Sequence, residues 1–336
     1  MHRLILGSAI LLLGLTVNTS VAAQSYRIAA SYTLGGDGSW DYLTYDSNMR
    51  RLYIGRSNRI MVVDPEHGKL MGEIPGFDRA HGVAVDEAAG RGFATSGGDG
   101  KVIRFDLKTL KVLGRTKVDM DADAIQFDPA TGHVFTFNGD AHSVSVIDPG
   151  SGRLLGTIPL GAKPEFGVSD GHGRIYVNLE STSEVAEIDA TGMKVIRKWP
   201  LAPCESPSGL AIDPVNHILF SGCHNQVMAM SDAVAGKVVA TVPIGKGVDA
   251  CRYDIVTALA FASTGDGTIT VIHEDSPTSF RVVQTVQTQE GARTMGLDPA
   301  THRLFTVSAE REGKPKPGHH HAPVKPGTFR LMVLEQ

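Results

Sequence analysis

The sequence predicts an all-β fold, a seven-bladed β-propeller of four-stranded antiparallel blades closed by an N-terminal strand that joins the last blade. Three observations predict it. An aspartate recurs at one point of a repeating pattern, at Asp46, Asp86, Asp128, Asp170, Asp213, Asp254 and Asp298, about 42 residues apart. Each interval holds short runs that alternate with period two and are separated by turn residues, and repeats of roughly 40 to 45 residues built this way are propeller blades. The last repeat lacks a fourth strand, and a strand of that kind stands alone near the N-terminus.

The chain opens on a short basic start, Met1-His2-Arg3, followed by an apolar run from Leu4 to Val17 and by small residues, Val21-Ala22-Ala23, before Gln24. Residues 1–23 therefore read as a cleaved export signal and residues 24–336 as a single propeller domain. A membrane span is the competing reading, but the run from Leu4 to Val17 falls short of the ~20 residues that crossing requires. No cysteine follows the cleavage point to carry a lipid, and no later stretch is long and apolar enough to span. The expected product is periplasmic or secreted. Loss of Arg3 makes it one unit more negative than the −4 of the whole chain, with no basic tract among the blades. Nucleic acid is not an expected partner.

Tyr26 to Leu34 comes next and has the pattern of the outer strands Lys237 to Ile244 and Phe280 to Gln287. Placed in the last blade, it would cover an open edge and tie the ring shut. The third repeat shows the blade plan: Asp123 to Phe127, His133 to Phe137, Ser143 to Ile147 and Leu154 to Ile158, with Asp-Pro and Gly clusters between them. Asp caps a type I turn and Pro presets its φ, which gives the repeated aspartates a structural role rather than a catalytic one.

Arg174-Ile175-Tyr176-Val177-Asn178, Arg51-Leu52-Tyr53-Ile54, Ser143 to Asp148 and Gly236 to Gly245 resemble the inner and outer strand patterns of the YVTN-repeat β-propellers, known in bacteria as YncE-like exported proteins. The resemblance covers residues 26 to 335. It implies the fold; the similar propellers include uncharacterised exported proteins, lactonases and haem d1 proteins, so it does not choose a function. The sixth repeat departs from the pattern with Ile255-Val256-Thr257 where a turn Pro is expected, and the seventh carries an insertion. The blade-ending Trp-Asp of WD40 repeats is absent, and two tryptophans, Trp40 and Trp199, are too few for a quinoprotein docking motif.

Candidate function sits where the loops entering the inner strands surround the channel mouth. Five residues before each repeated aspartate stand Asp41, His81, Asp123, Glu165, Ser208, Asp249 and Arg293, and six of these seven are ionisable. Three residues before it stand Leu43, Val83, Ile125, Gly167, Leu210, Cys251 and Met295, so the charge belongs to the mouth position. Carboxylates crowded there must gain cations, shift their pKa values or pair with bases. One reading has Arg293 neutralise Asp249 and Asp41. Another has His81, Asp123 and Glu165, from three consecutive blades, hold one divalent cation: zinc or another transition metal, or calcium if Asn138 and Glu180 add oxygens.

Three cysteines remain. Cys204 and Cys223 are placed to reach one rim of the fifth blade, and a disulfide between them would contribute roughly 3 kcal/mol. Cys251 lies at an apolar inner position and is expected as a buried free thiol. The insertion, at about residues 310–328, contains Lys314-Pro315-Lys316-Pro317-Gly318 and His319-His320-His321, and reads as a flexible lid or spacer over the mouth or as a weak metal binder. Gly167-Val168-Ser169-Asp170-Gly171 fits a nucleophile-elbow pattern but lies between strands, where that elbow needs strand then helix.

These readings lead to an exported monomer that acts as a binding or scaffold module, presenting the mouth loops to a small-molecule ligand or an envelope protein. The alternative is a metal-assisted hydrolase of lactone type at the same mouth.

Overall fold

The computed structural model describes residues 25–313 and 322–336. Among them, 28 strands form seven four-stranded antiparallel sheets, the blades of a propeller around a central channel. The residues read as an export signal and the histidines 319–321 lie outside the described residues. No helix among the described residues is long and apolar enough to cross a membrane.

The innermost strands, blade 1 to blade 7, are Leu43–Asp46, Ala80–Asp86, Ala122–Asp128, Pro164–Ser169, Pro207–Asp213, Val248–Asp254 and Met295–Asp298. The third blade continues with His133–Asn138, Ser143–Ile147 and Leu154–Pro159, within a residue or so of the boundaries that alternation and turns predict. Second and third strands are buried along nearly their whole length, as Ile175 to Leu179 of blade 4 are, because both faces of each blade pack against neighbours. Outer strands meet solvent and alternate, as Lys194–Pro200 does.

Closure follows the expected route. Arg27–Thr33 pairs antiparallel with Arg330–Glu335, so blade 7 reads from the outside Arg27–Thr33, Arg330–Glu335, Arg303–Ser308, Met295–Asp298. Its inner strand begins at Met295, two residues after Arg293, where the sequence pattern starts it.

The turn aspartates do cap their turns. Asp46 accepts from Met49 N at 2.9 Å, Asp128 from Thr131 N at 2.9 Å and Asp254 from Val256 N at 3.0 Å, the last without the usual Pro. They also tie blade to blade, which turn chemistry alone does not predict. Asp128 accepts from Ser169 Oγ of blade 4 at 2.6 Å, Asp213 from Tyr253 of blade 6 at 3.2 Å, and Asp254 meets His302 of blade 7 at 2.6 Å. These carboxylates are buried, so each unmade bond would leave a polar group stranded.

Candidate functional site

A break in the inner strands sets the direction of the mouth residues. In blades 2 to 6 the ladder between first and second strand slips between Ala80 and Val83, Ala122 and Ile125, Pro164 and Gly167, Pro207 and Leu210, and Val248 and Ala250. His81, Asp123, Glu165, Ser208 and Asp249 lie inside these five irregularities. A β-bulge re-aims a side chain and frees backbone groups, which is how one strand position can turn toward the channel in blade after blade. Asp41 and Arg293 precede the shorter inner strands of blades 1 and 7 and reach the same level.

The charges sort into two groups. Arg293 Nε lies 2.7 Å from Asp249 and its Nη2 3.7 Å from Asp41, the neutralisation that ring order predicts. His81 Nδ1 is hydrogen-bonded to Asp41 and lies 3.2 Å from Asp123. Lys163 Nζ bonds Glu165 at 2.7 Å and Glu180 at 2.6 Å. The ligand atoms of Asp41, His81 and Asp123 all fall within 4.8 Å of one another, whereas Glu165 is turned to Lys163. The cluster within reach of one ion thus has Asp41 in the place that blade order gives to Glu165. Asn138 is buried and donates to Ser143 and Ser145 of its own blade, at 3.1 and 3.0 Å. Ser208 is buried, and its carbonyl accepts from Asn178 at 3.0 Å.

Burial works against the His81 imidazolium, but Asp123 and Asp41 outweigh it and raise its pKa to about 9. Burial lifts Asp123 to about 7 despite His81 beside it. Glu165, buried and facing Asp123, is pushed up to about 9 against the pull of Lys163. Burial also raises Asp249, partly offset by Arg293. Burial acts the same way on Glu180, but there Lys163 prevails and the carboxyl sits below its ordinary value.

Beneath the ring the channel is partly filled. Tyr42 packs on Phe166 with ring centroids 4.7 Å apart, and the Arg252 guanidinium lies 5.7 Å from the Phe166 ring. Tyr42 donates to Asp123 at 3.2 Å; burial, then the carboxylates around it, hold its pKa well above the ordinary range. A cavity of about 370 Å³ remains below them. Sequence reasoning passes over this plug, although a signal exists: Tyr42 and Phe166 stand four residues before the repeated aspartates of blades 1 and 4.

Outside the ring, a cleft of about 810 Å³ opens between blades 1, 2 and 7, with Trp40, Asp41, His81, Arg293 and Arg311 in its walls. The stem of the insertion forms one side. Arg311 bridges to Val324, donates to Ala322 O at 2.8 Å and lies 5.0 Å over the Trp40 ring, while Lys325 binds Glu310 at 2.9 Å. Two glycines fix the other side. A Cβ at Gly55 would lie 2.3 Å from His81 O, and one at Gly97 2.7 Å from His81 Nε2, so only glycine lets the histidine seat. On the far rim Cys204 and Cys223 form a disulfide, and Cys251 is a buried free thiol whose pKa burial pushes up to about 12.

No family model matches the chain. Over 180 residues it is 27% identical to the uncharacterized protein YncE of Salmonella typhi, a stretch covering 51% of each chain, and YncE of Salmonella typhimurium LT2 matches to the same extent. The match therefore spans about half the length of these curated relatives. Among solved structures, U3-55K superposes with a TM-score of 0.76 at 10% identity over 91% of this chain and 98% of its own. A chain of Kuenenia stuttgartiensis hydrazine synthase gives 0.68 at 14% identity over 79% and 91%. At such identities the likeness concerns the fold alone.

Proposed function

Starting from a YncE-like seven-bladed β-propeller, we propose that the chain is a binding module that takes a small polar ligand into the cleft at the channel mouth. One observation carries this reading: the 810 Å³ cleft places an aromatic wall, Trp40, beside the opposed charges Asp41, Arg293 and Arg311. That volume suits a small molecule, and a few convergent polar groups against an apolar wall are what fix a ligand's orientation. Arg311 comes from the insertion stem, so ligand contact would extend to a segment that lies outside the regular blade pattern.

The test is a thermal-shift screen of charged metabolites on the mature protein and on an Arg311→Ala, Trp40→Phe variant. Ligands that stabilise the parent and not the variant support the cleft. Absence of any stabilising small molecule, with cross-linking of the mouth face to an envelope protein, would replace it with the scaffold reading.

A second reading, a metal-assisted hydrolase of lactone type, is favoured by the Asp41, His81 and Asp123 cluster at the cleft wall. A cation there would polarise a carbonyl or activate water. Alanine at Asp41 and Asp123 would then abolish lactone hydrolysis.

A further inference from the structure

We propose that Asp41, His81 and Asp123 form a binding site for one divalent cation of the zinc class, open to the mouth cleft. The proposal draws on the hydrolase reading only for what the ion would do; cation binding stands or falls separately.

Four observations lead to it. Carboxylate oxygens from Asp41 and Asp123 converge on a single imidazole nitrogen, His81 Nδ1. That nitrogen carries at most one hydrogen, so it can donate well to only one of them, whereas a cation between the three satisfies all. The spacing suits such an ion. Bonds of about 2.0 to 2.2 Å to nitrogen and oxygen in a tetrahedron set ligand atoms ~3.4 Å apart. Asp123 Oδ1 is 3.2 Å from Nδ1, and the whole set lies within 4.8 Å.

The ligands are also held from behind. Asp123 takes the Tyr42 hydroxyl on its other oxygen at 3.2 Å, the carbonyl of Asp123 accepts from Thr95 at 2.6 Å, and Asp41 faces Arg293 through its second oxygen. Outer partners of this kind orient ligands and sharpen a metal site. Finally, the three side chains are 18 to 20% exposed and Asp41 and His81 line the cleft, so an ion has access and keeps a coordination position free for water or substrate.

One imidazole and two carboxylates from a rigid frame favour a borderline transition metal over calcium, which takes six to eight oxygens. Other carboxylates around the mouth are otherwise engaged, Asp249 with Arg293, Glu165 with Lys163 and Asp121 with Arg79.

The experiment is titration of metal-free mature protein with Zn²⁺ and Co²⁺, in a background where His319, His320 and His321 are replaced by Ser so that the insertion cannot contribute. One equivalent should bind, with the strong visible absorption of low-coordinate Co²⁺. Asp41→Asn and Asp123→Asn should each weaken binding at least ~10-fold. Glu165→Gln should keep the equivalent. Circular dichroism and melting curves of the Asn variants separate lost binding from lost folding. No uptake by the background protein, or undiminished uptake by folded Asp41→Asn and Asp123→Asn, overturns the proposal. Uptake without lactone hydrolysis keeps the site and removes only the hydrolase reading.

Discussion

Thr95 Oγ1 of blade 2 donates to the carbonyl of Asp123 in blade 3 at 2.6 Å and accepts from Gly82 N at 2.9 Å. The same service recurs between blades 4 and 5, where Asn178 Nδ2 donates to the carbonyls of Ser208 and Gly209. The bulges that turn ring residues into the mouth free these backbone groups, and a side chain on the second strand takes them up. Thr95→Val keeps the volume and removes the bonds. It should cost about 1–3 kcal/mol in chemical denaturation, with Thr95→Ser losing much less. A valine variant as stable as the parent would show that the hydroxyl does not hold the bulge.

Arg293 stands between two carboxylates, 2.7 Å from Asp249 and 3.7 Å from Asp41, and both lift its pKa. Its removal leaves Asp249 without a counter-ion in a site where burial already raises that carboxyl. Arg293→Met should lower stability by about 2–3 kcal/mol, below the value for wholly buried pairs because the side chain is 28% exposed. Adding Asp249→Asn should restore much of the loss. Additive losses in that double-mutant cycle would mean that the pair is not coupled.

Much of the frame was legible because a propeller repeats its instructions. The spacing of the aspartates marked the blades, Tyr26 to Leu34 marked the closing strand, and Cys204 and Cys223 sat where a disulfide joins them. The mouth positions were legible too, since five residues before each aspartate is a fixed depth in the channel. Which of them meet was not. Counting by blade pairs His81 with Asp123 and Glu165, but Lys163, two residues from Glu165, draws that carboxylate away, and Asp41 takes its place because blade 1 is as close to blade 2 as blade 3 is. The second role of the turn aspartates was hidden because their partners come from the next repeat and differ in kind: Ser169 and Tyr253 each stand one residue before the next repeated aspartate but share no residue type, and His302 lies four residues after one.

Tyr26 fastens the closing strand to blades 6 and 7. It is buried, meets Phe261 edge-on at 5.2 Å, donates to His302 O at 2.8 Å and exchanges backbone bonds with the Gln284 amide. Tyr26→Ala should cost about 3–5 kcal/mol. Removal of residues 26–34 should abolish the cooperative melt seen by circular dichroism, because it exposes the edge of Arg330–Glu335. A truncated protein that melts with the parent would mean that the ring does not need this strand.

The mouth should make the fold less stable as pH rises. Glu165 has its pKa raised from 4.5 to about 9, first by burial and then by Asp123. Between those values the folded protein keeps a proton that the unfolded chain has released, so the stabilising contribution is complete below pH 4.5 and is lost as pH climbs toward 9. His81, raised from 6.5 to about 9, and Asp123, raised from 3.8 to about 7, act with the same sign. Glu180 is shifted the other way and therefore matters only below about pH 4.5. One such group contributes a slope of at most ~1.4 kcal/mol per pH unit. Urea midpoints of chelator-treated protein should therefore fall from pH 5 to pH 9. Glu165→Gln, which keeps the shape without the charge, should flatten that fall and exceed the parent in stability at pH 8. Parallel pH profiles for the two proteins would show that Glu165 is ionised at neutral pH and that its bond to Lys163 outweighs its burial.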